Sequence, residues 1–459
     1  MTVMAAPPLE PDVKGKRFTV MGLARTGEAV ARFLASRGAR VTVTDEQSEA
    51  DLADTLSRLP DDVRREVGGH PPALFEEADG LVVSPGVRRD HPLLARAAAA
   101  GVPILSEIEL AFRFCRAPVI AVTGTNGKTT TTGLIHALLE AGGLRAPAVG
   151  NIGAPFIAAL DGPDTPDYFV VEVSSFQLEW VETFRPRVAV VTNLTPDHLD
   201  RHEDLEEYAG WKRRVFAAQG AEDFRVLNAD DDRVCAFGEG AGGGVRFFSR
   251  RAAVADGACL EGDLLVLRGG GASVPVLRRG EFPLPGVHNV ENALAAIAAA
   301  GLCGARADDM GRALRAFRPI DHRLRLVRER RGVRWYNDSK GTNVGATVRS
   351  LESFEGPVVL IAGGRDKGSN LTPLRPLVRD RVRTLILIGE SRARFRSAFA
   401  GLTECLEAET MREAVEKAGR AARPGDVVLL SPACASFDMF TDYEDRGRRF
   451  AAEVERLSP

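Results

Sequence analysis

The sequence predicts an α/β protein made of three successive strand-and-helix blocks. Three observations carry this. Residues 17–21 and 119–123 are short apolar runs that pass through glycine-containing turns into amphipathic helices. Beyond residue 320, apolar strands alternate with helices near 411–422 and 444–457. The length of 459 residues fits two to four domains. The blocks divide at 1–113, 114–319 and 320–459.

The first block opens with strand 17–21, the turn Gly22-Leu-Ala-Arg-Thr-Gly27, a helix to about residue 37, and strand 40–44 ending at Asp45. This is a Rossmann-like opening. Ala24 stands where the middle glycine of a G-x-G-x-x-G fingerprint belongs, so the glycines can equally serve close helix–strand packing. Strands follow at 80–84, before Pro85-Gly86, and at 103–105.

The second block begins with Val119-Ile-Ala-Val-Thr-Gly-Thr-Asn-Gly-Lys-Thr-Thr130. A buried strand, a loop with Gly124, Thr125, Asn126 and Gly127, and a helix opening at Lys128-Thr129-Thr130 aim backbone N–H groups and a helix N-terminus at one point. That point favours a phosphate. Lys128 adds a mobile positive charge, and the Thr129 hydroxyl is a hard oxygen ligand for Mg2+. The first glycine of the usual nucleotide loop is replaced by Val122. The alternative is an ordinary strand–turn–helix with a solvated lysine.

Strands at 168–173 and 188–192 fit a mostly parallel sheet. Glu172 ends the first of them, where a carboxylate can share Mg2+ with Thr129 or simply face water. The second leads into Asp197-His198-Leu-Asp200-Arg-His202. His198 and His202 at i, i+4 raise zinc, but no H-E-x-x-H pattern or cysteine partner supports it. Magnesium beside a nucleotide suits His198 better, with His202 structural. Lys212 follows on a helix. It reads either as a surface lysine beside Arg213 and Arg214 or, near a metal, as an amine converted to a carbamate by CO2. Residues 242–285 are Gly-rich and β-branched and are expected to form a small antiparallel excursion. Asn289 and Asn292 share a face of the next helix; either can contact adenine, or one can cap the helix.

In the third block, strands at 357–362, 384–388 and 426–430 are expected. Asp321-His-Arg323 follows the second block, and Asn337–Asn343, Gly363–Gly368 and Ser431–Asp438 each follow a strand. Such loops mark one ligand mouth. Cys434 is read as a small buried cysteine rather than a nucleophile.

Composition narrows the partners. A net charge of −3 implies no nucleic-acid or anionic-membrane partner. No run of about 18 apolar residues spans a membrane, and residues 1–17 lack the apolar core of a secretion signal. Six scattered cysteines without a C-x-x-C pair imply a reducing, cytoplasmic setting. Of 60 basic residues only seven are lysines. Several of those seven fall in motif-like loops, where a compact charge or a nucleophilic amine is something Arg does not supply.

Taken together, TGTNGKTT (123–130), GNIG (150–153), VEVSSFQLE (171–179), NLTPDHLDRH (193–202), GVHNVENA (286–293), NDSKGTN (337–343), GGRDKG (363–368) and SPACASFD (431–438) resemble the Mur ligase family over nearly the whole chain. The resemblance implies a Rossmann-like N-terminal domain for the UDP substrate, a central P-loop ATPase, and a Rossmann-like C-terminal domain. It implies a cytoplasmic, monomeric ligase of peptidoglycan synthesis. Such a ligase spends ATP, with Mg2+ at two sites, to add D-glutamate to UDP-N-acetylmuramoyl-L-alanine through an acyl phosphate.

By motif match, Gly124 to Thr130, Asn292, Arg323 and Asp338 would contact ATP. Thr129 and Glu172 would hold one Mg2+, with His198 and a carbamylated Lys212 near the second. Arg25, Thr26 and Asp45 would meet the uridine end, and Asn151, Ser174 and Gln177 would line the muramoyl path. Lys340, Thr342, Lys367, Ser436 and Phe437 would hold D-glutamate, with Tyr443 standing nearby where the family often has Phe. Lys128, Lys212, His198 and Lys340 would act in catalysis. Two rivals are a folate-polyglutamylating ligase of the same superfamily and, resting on Gly22–Gly27, a nicotinamide-dependent oxidoreductase. The broken fingerprint and the second phosphate loop weigh against the oxidoreductase; NDSKGTN and the Rossmann-like first block weigh against the folate enzyme.

Overall fold

A computed structural model of the chain describes residues 12–162, 164–198, 201–318, 322–366 and 368–457. Among these residues there are three sheets. The first holds β1 (Arg17–Met21), β2 (Arg40–Asp45), β3 (Arg64–Val67), β4 (Gly80–Val83) and β5 (Ile104–Ser106), in the order β3-β2-β1-β4-β5. All its pairings are parallel. Parallel neighbours require crossovers, and a helix at Arg25–Ser36 supplies the one between β1 and β2.

The second sheet holds β6 (Val119–Thr123), β7 (Ala148–Gly150), β8 (Phe169–Glu172), β9 (Val188–Val191), β10 (Phe224–Asn228), β11 (Gly244–Ser249), β12 (Gly257–Glu261), β13 (Leu264–Gly269) and β14 (Ala272–Arg278). Its order is β14-β13-β12-β11-β10-β9-β6-β8-β7. β6, β8 and β9 are buried along their whole length, as strands covered on both faces must be.

The expected antiparallel excursion over 242–285 needs correction. β11 runs parallel to β10, with Gly244 opposite Phe224, and β12 runs parallel to β11. The first part of the stretch therefore extends the central sheet in parallel, and the expected antiparallel pairing begins at β12–β13, with β14 next to β13 across the two-residue Gly270-Gly271 link. The physical reason lies in the connections. The link from β10 to β11 contains the helix Asp232–Ala236 and is long enough to cross over, whereas β12 and β13 are joined by a tight turn with Gly262 at φ 60°.

Two buried carboxylates tie the helix Glu107–Phe114 to the second sheet's connections. Glu107 accepts from the Ile157 N–H at 2.7 Å. Glu109 accepts from the backbone of Glu182, Thr183 and Phe184 and from the Thr183 hydroxyl at 2.6 Å.

The third sheet holds β15 (Arg325–Arg330), β16 (Val333–Asn337), β17 (Val358–Gly363), β18 (Val382–Ile388), β19 (Glu404–Glu407) and β20 (Val427–Leu430), in the order β15-β16-β20-β17-β18-β19. Only the edge pair β15–β16 is antiparallel. Two apolar clusters, one around Leu360 and Leu385 and one around Trp335 and Phe450, cover its faces. The first two sheets belong to one compact unit. The third sheet belongs to another, together with Thr195–Leu205 and Arg278–Asn292.

Candidate active site

The phosphate loop follows β6 as the sequence predicts. Gly127 has φ 86° and precedes the helix Lys128–Ala141. Gly124 has φ 134°, and a Cβ there would lie 2.0 Å from Thr192 Oγ1, so only glycine fits. Lys128 Nζ folds back and donates to the carbonyls of Gly124, at 2.9 Å, and Thr125, at 2.7 Å. Two neighbours the sequence reading did not assign to the loop give it its shape. Asn193 Oδ1 accepts from Asn126 N at 3.0 Å, and its Nδ2 donates to Asn126 O at 2.9 Å. The Thr192 hydroxyl donates to the same carbonyl at 2.7 Å. Their signal was their position at the end of the strand beside β6.

Glu172 lies opposite Val122 on the neighbouring strand, two residues before Gly124. Its side chain is 1% exposed, so it is not a solvated strand-end carboxylate. Oε1 accepts from Asn151 Nδ2 at 2.8 Å. Thr129 is equally buried. A hydroxyl and a carboxylate at this mouth are hard oxygen donors of the kind Mg2+ takes.

Lys212 is a correction to the surface reading. It is 1% exposed. It lies on the buried face of the helix Leu205–Arg213 with Tyr208 and Ala209, and its Nζ sits 4.5 Å from the centre of the Tyr208 ring. The i, i+4 spacing of Tyr208 and Lys212 was the available signal.

Ser174 and Gln177 form a capping box at the start of the short helix Ser175–Leu178, each bonding the other's backbone. In the first sheet, Asp45 Oδ2 accepts from Leu23 N at 2.7 Å and Oδ1 from Gln47 N at 2.9 Å. Asp45 and Thr26 line a cleft of about 820 Å³, together with Gly22, Ser84 and Pro85. Arg25 starts the helix above it and is exposed. A Cβ on Gly27 would fall 1.9 Å from Gly22 O, so this glycine serves close packing in the turn, with no cofactor required.

In the other unit, His198 adopts φ 55°, a left-handed conformation that non-glycine residues seldom take. Its N–H donates to Asp197 Oδ1 at 2.9 Å, and Asp197 Oδ2 accepts from Asn343 Nδ2 at 2.7 Å. His202 is buried, as expected of a structural residue. Asp200 lies outside the described residues. Asn292 Nδ2 donates to Asn289 Oδ1 at 3.2 Å. Asn289 lies inside the helix Val287–Leu302, not at its cap.

The three polar loops of the third sheet follow β16, β20 and β17, which are adjacent in that order. They are bonded to one another. Ala433 N donates to Gly341 O at 2.8 Å, and Arg365 and Ala435 exchange two backbone bonds at 3.0 Å. Asp338 accepts from Leu324 N and from the hydroxyls of Ser350, at 2.6 Å, and Ser431, at 2.8 Å. Burial pushes its carboxyl up to about 6, against these bonds and the Arg323 charge, which lower it. Lys340 Nζ sits 5.1 Å from the centre of the Tyr443 ring. Ser436 is buried, while Phe437 is 63% exposed. Thr342 is partly buried, and its N–H donates to Lys340 O at 2.9 Å. Lys367 lies outside the described residues.

Sequence reasoning missed Arg446, which organises these loops. It is fully buried, with Nε donating to Ser339 Oγ at 2.9 Å, Nη2 to Ser339 O at 2.7 Å and Nη1 to the carbonyls of Cys434 and Ala435. Desolvation lowers its pKa to about 10. Cys434 is buried as expected, and desolvation raises its thiol to about 11, which keeps the nucleophilic thiolate out of reach.

A phosphate loop in one sheet and a cluster of glycine-rich polar loops in another define a nucleotide-binding α/β protein, and comparison supplies the family. The chain matches the Mur ligase MurD-like N-terminal domain over residues 16–106, the Mur ligase middle domain over 122–300, and the Mur ligase glutamate ligase domain over 322–434. It belongs to the Mur ligase family.

Among its relatives, the UDP-N-acetylmuramoylalanine--D-glutamate ligase of Geotalea daltonii is 48% identical over 97% of this chain and 99% of its own length. The protein of the same name from Trichlorobacter lovleyi is 47% identical over 97% of this chain and all of its own. UDP-N-acetylmuramate-alanine ligase MurC from Thermotoga maritima shares the fold, with a TM-score of 0.61 at 20% identity over 96% of this chain and 100% of that one. So does a pseudomurein peptide ligase type C from Methanothermus fervidus, with a TM-score of 0.60 at 20% identity over 97% of this chain and 100% of that one.

Proposed function

We propose that this chain uses ATP to join D-glutamate to UDP-N-acetylmuramoyl-L-alanine in the cytoplasmic part of peptidoglycan synthesis. The observation that carries the reading is near-full-length similarity to ligases bearing that name. The site geometry supports it. We assign the boundaries 1–113, 114–319 and 320–459 to the UDP-substrate, ATPase and amino-acid domains.

The chemistry follows from the substrate. A carboxylate is a poor electrophile. Transfer of the γ-phosphoryl group to its oxygen breaks the bond to the ADP oxygen and leaves an acyl phosphate. The D-glutamate amine then attacks the carbonyl carbon, a tetrahedral intermediate forms, and inorganic phosphate departs as the amine loses a proton. The backbone N–H groups of Gly124–Thr130 and the Lys128 amine would hold the phosphates; Lys128 then leaves the carbonyls it bonds now. Mg2+, when bound, offsets the negative charge of the transferring group. Thr129 and Glu172 would hold it. Asn292, Arg323 and Asp338 would contact the nucleotide, and Lys340, Thr342, Lys367, Ser436 and Phe437 the amino acid, beside Tyr443.

We further propose that the Lys212 amine adds to CO2. The N–C bond forms, one C=O pair moves to oxygen, and the nitrogen gives up a proton, leaving an anion able to serve a second Mg2+ with His198. The burial of Lys212 supports this, because a buried lysine of this kind is not a surface cation.

The deciding measurement is phosphate release from ATP with UDP-N-acetylmuramoyl-L-alanine, comparing D-glutamate, L-glutamate and L-lysine. Turnover should depend on D-glutamate. Equal turnover with all three overturns the specific reading.

A further inference from the structure

Three residues outside the ligase reading meet at one rim of the first sheet's cleft. Glu46 follows β2, His70 follows β3, and His91 caps the helix Pro92–Ala99 after β4. All three line the cleft. One ligand atom from each lies within 4.8 Å of the others. Glu46 Oε1 is 3.8 Å from His70 Nε2 and 3.7 Å from His91 Nε2. Four-coordinate zinc at about 2.0–2.1 Å from its ligands spaces them by roughly 3.4 Å. The two carboxylate-to-imidazole spacings approach that value, and the imidazole nitrogens, at most 4.8 Å apart, reach it by a side-chain rotation.

The cluster is built, not incidental to a loose surface. The loop carrying His70 is fastened to the end of β2: Gly69 N donates to Asp45 O at 3.1 Å and Gly68 N to Gln47 O at 2.8 Å. The Thr44 hydroxyl lies 3.1 Å from Gly69 O and 2.8 Å from His70 Nδ1. With the hydroxyl proton on Gly69 O, Thr44 Oγ1 is an acceptor for a His70 proton on Nδ1. That leaves the Nε2 lone pair directed at Glu46, the arrangement that outer hydrogen bonds impose on metal-binding histidines. The His70 side chain is 8% exposed. His91 Nδ1 accepts only a long 3.3 Å contact from Leu93 N. Shifting its proton to Nδ1 therefore gives up little.

We infer that Glu46, His70 and His91 form a binding site for one divalent transition-metal ion of the zinc class. Two imidazoles and one carboxylate select such an ion over Mg2+, which prefers an all-oxygen shell. The fourth position opens into the cleft. The site shares the cleft lined by Asp45 and Thr26, but its test reads metal binding alone, so its failure is distinguishable from failure of the ligase reading.

The test is Zn2+ titration of the full chain against a chromophoric chelator, with excess Mg2+ present to occupy hard-oxygen sites. The parent should take up one Zn2+ that His70→Gln and Glu46→Gln each bind at least about tenfold more weakly. The Co2+ form of the parent should show the d–d absorption of a four-coordinate ion, lost in His70→Gln. Glu46 is 75% exposed, so a weakened Glu46→Gln does not report misfolding. Absence of Zn2+ uptake by the parent, or a change below tenfold in either variant, overturns the site.

Discussion

The Arg446 guanidinium holds Ser339 by both ends: Nε bonds its hydroxyl at 2.9 Å and Nη2 its carbonyl at 2.7 Å. The same hydroxyl passes a hydrogen bond on to Tyr443 O at 2.8 Å. One buried side chain from the C-terminal helix Tyr443–Glu455 thus fixes both the loop carrying Lys340 and, through Cys434 and Ala435, the loop carrying Ser436.

Replacing that cation should loosen both loops at once. Arg446→Lys retains the charge but cannot reproduce the fork, leaving buried carbonyls short of donors. Urea unfolding should show a loss of about 2 kcal/mol or more. The KM for D-glutamate should rise more than the KM for ATP. Unchanged stability in urea would contradict the organising role.

Gly124→Ala places a Cβ 2.0 Å from Thr192 Oγ1 at a φ of 134°. Thr192 must then abandon Asn126 O, and the loop loses its shape. The expected cost is about 2 kcal/mol in stability, with ATP affinity down at least tenfold, read by nucleotide titration. Gly210→Ala, in open space on a helix, is the matched control and should be neutral or mildly stabilising.

Burial raises the Glu107 carboxyl from 4.5 to about 7, against the backbone bonds from Ile157 and Phe156, which lower it. Between those two values the folded chain holds a proton that the unfolded chain has released. Stability therefore falls as pH rises through that window, by an amount of order 3 kcal/mol. Glu107→Gln retains an acceptor for Ile157 N and cannot ionise. Its melting temperature relative to the parent should climb from about pH 5 to about pH 8. A flat difference across that range would show that the carboxyl titrates normally.

Lys212→Ala should lose activity by about 10²-fold or more if the carbamate serves the site, and short carboxylic acids should restore part of it by supplying an anion. Activity equal to the parent would remove the carbamate from the mechanism.

Much of the fold was legible because it rests on local chemistry. Apolar runs such as 119–123 and 358–363 bury as strands whatever surrounds them, and glycines with positive φ mark the turns after them. Thr129, Glu172 and Asp338 stand out in the sequence because ligand groups follow strand ends in parallel sheets, and the structure buries all three. The direction of β11 and β12 was not legible, since a Gly-rich stretch carries the same residues whether it pairs parallel or antiparallel.

Arg446 and Asn193 were missed for another reason. Their partners are 107 and 67 residues away, and nothing in the local pattern distinguishes a buried arginine from the many solvated ones.

The sequence by itself determined the element types, the glycine positions and the residues with chemistry to offer, because backbone conformation and side-chain type are local properties. Only the tertiary structure decided which of those groups are buried and which meet. Lys212 became a core residue, Asp338 a carboxyl raised by desolvation, and Glu46, His70 and His91 a cluster. Dielectric surroundings and distances across a sheet are set by strand order and packing, which no single segment specifies.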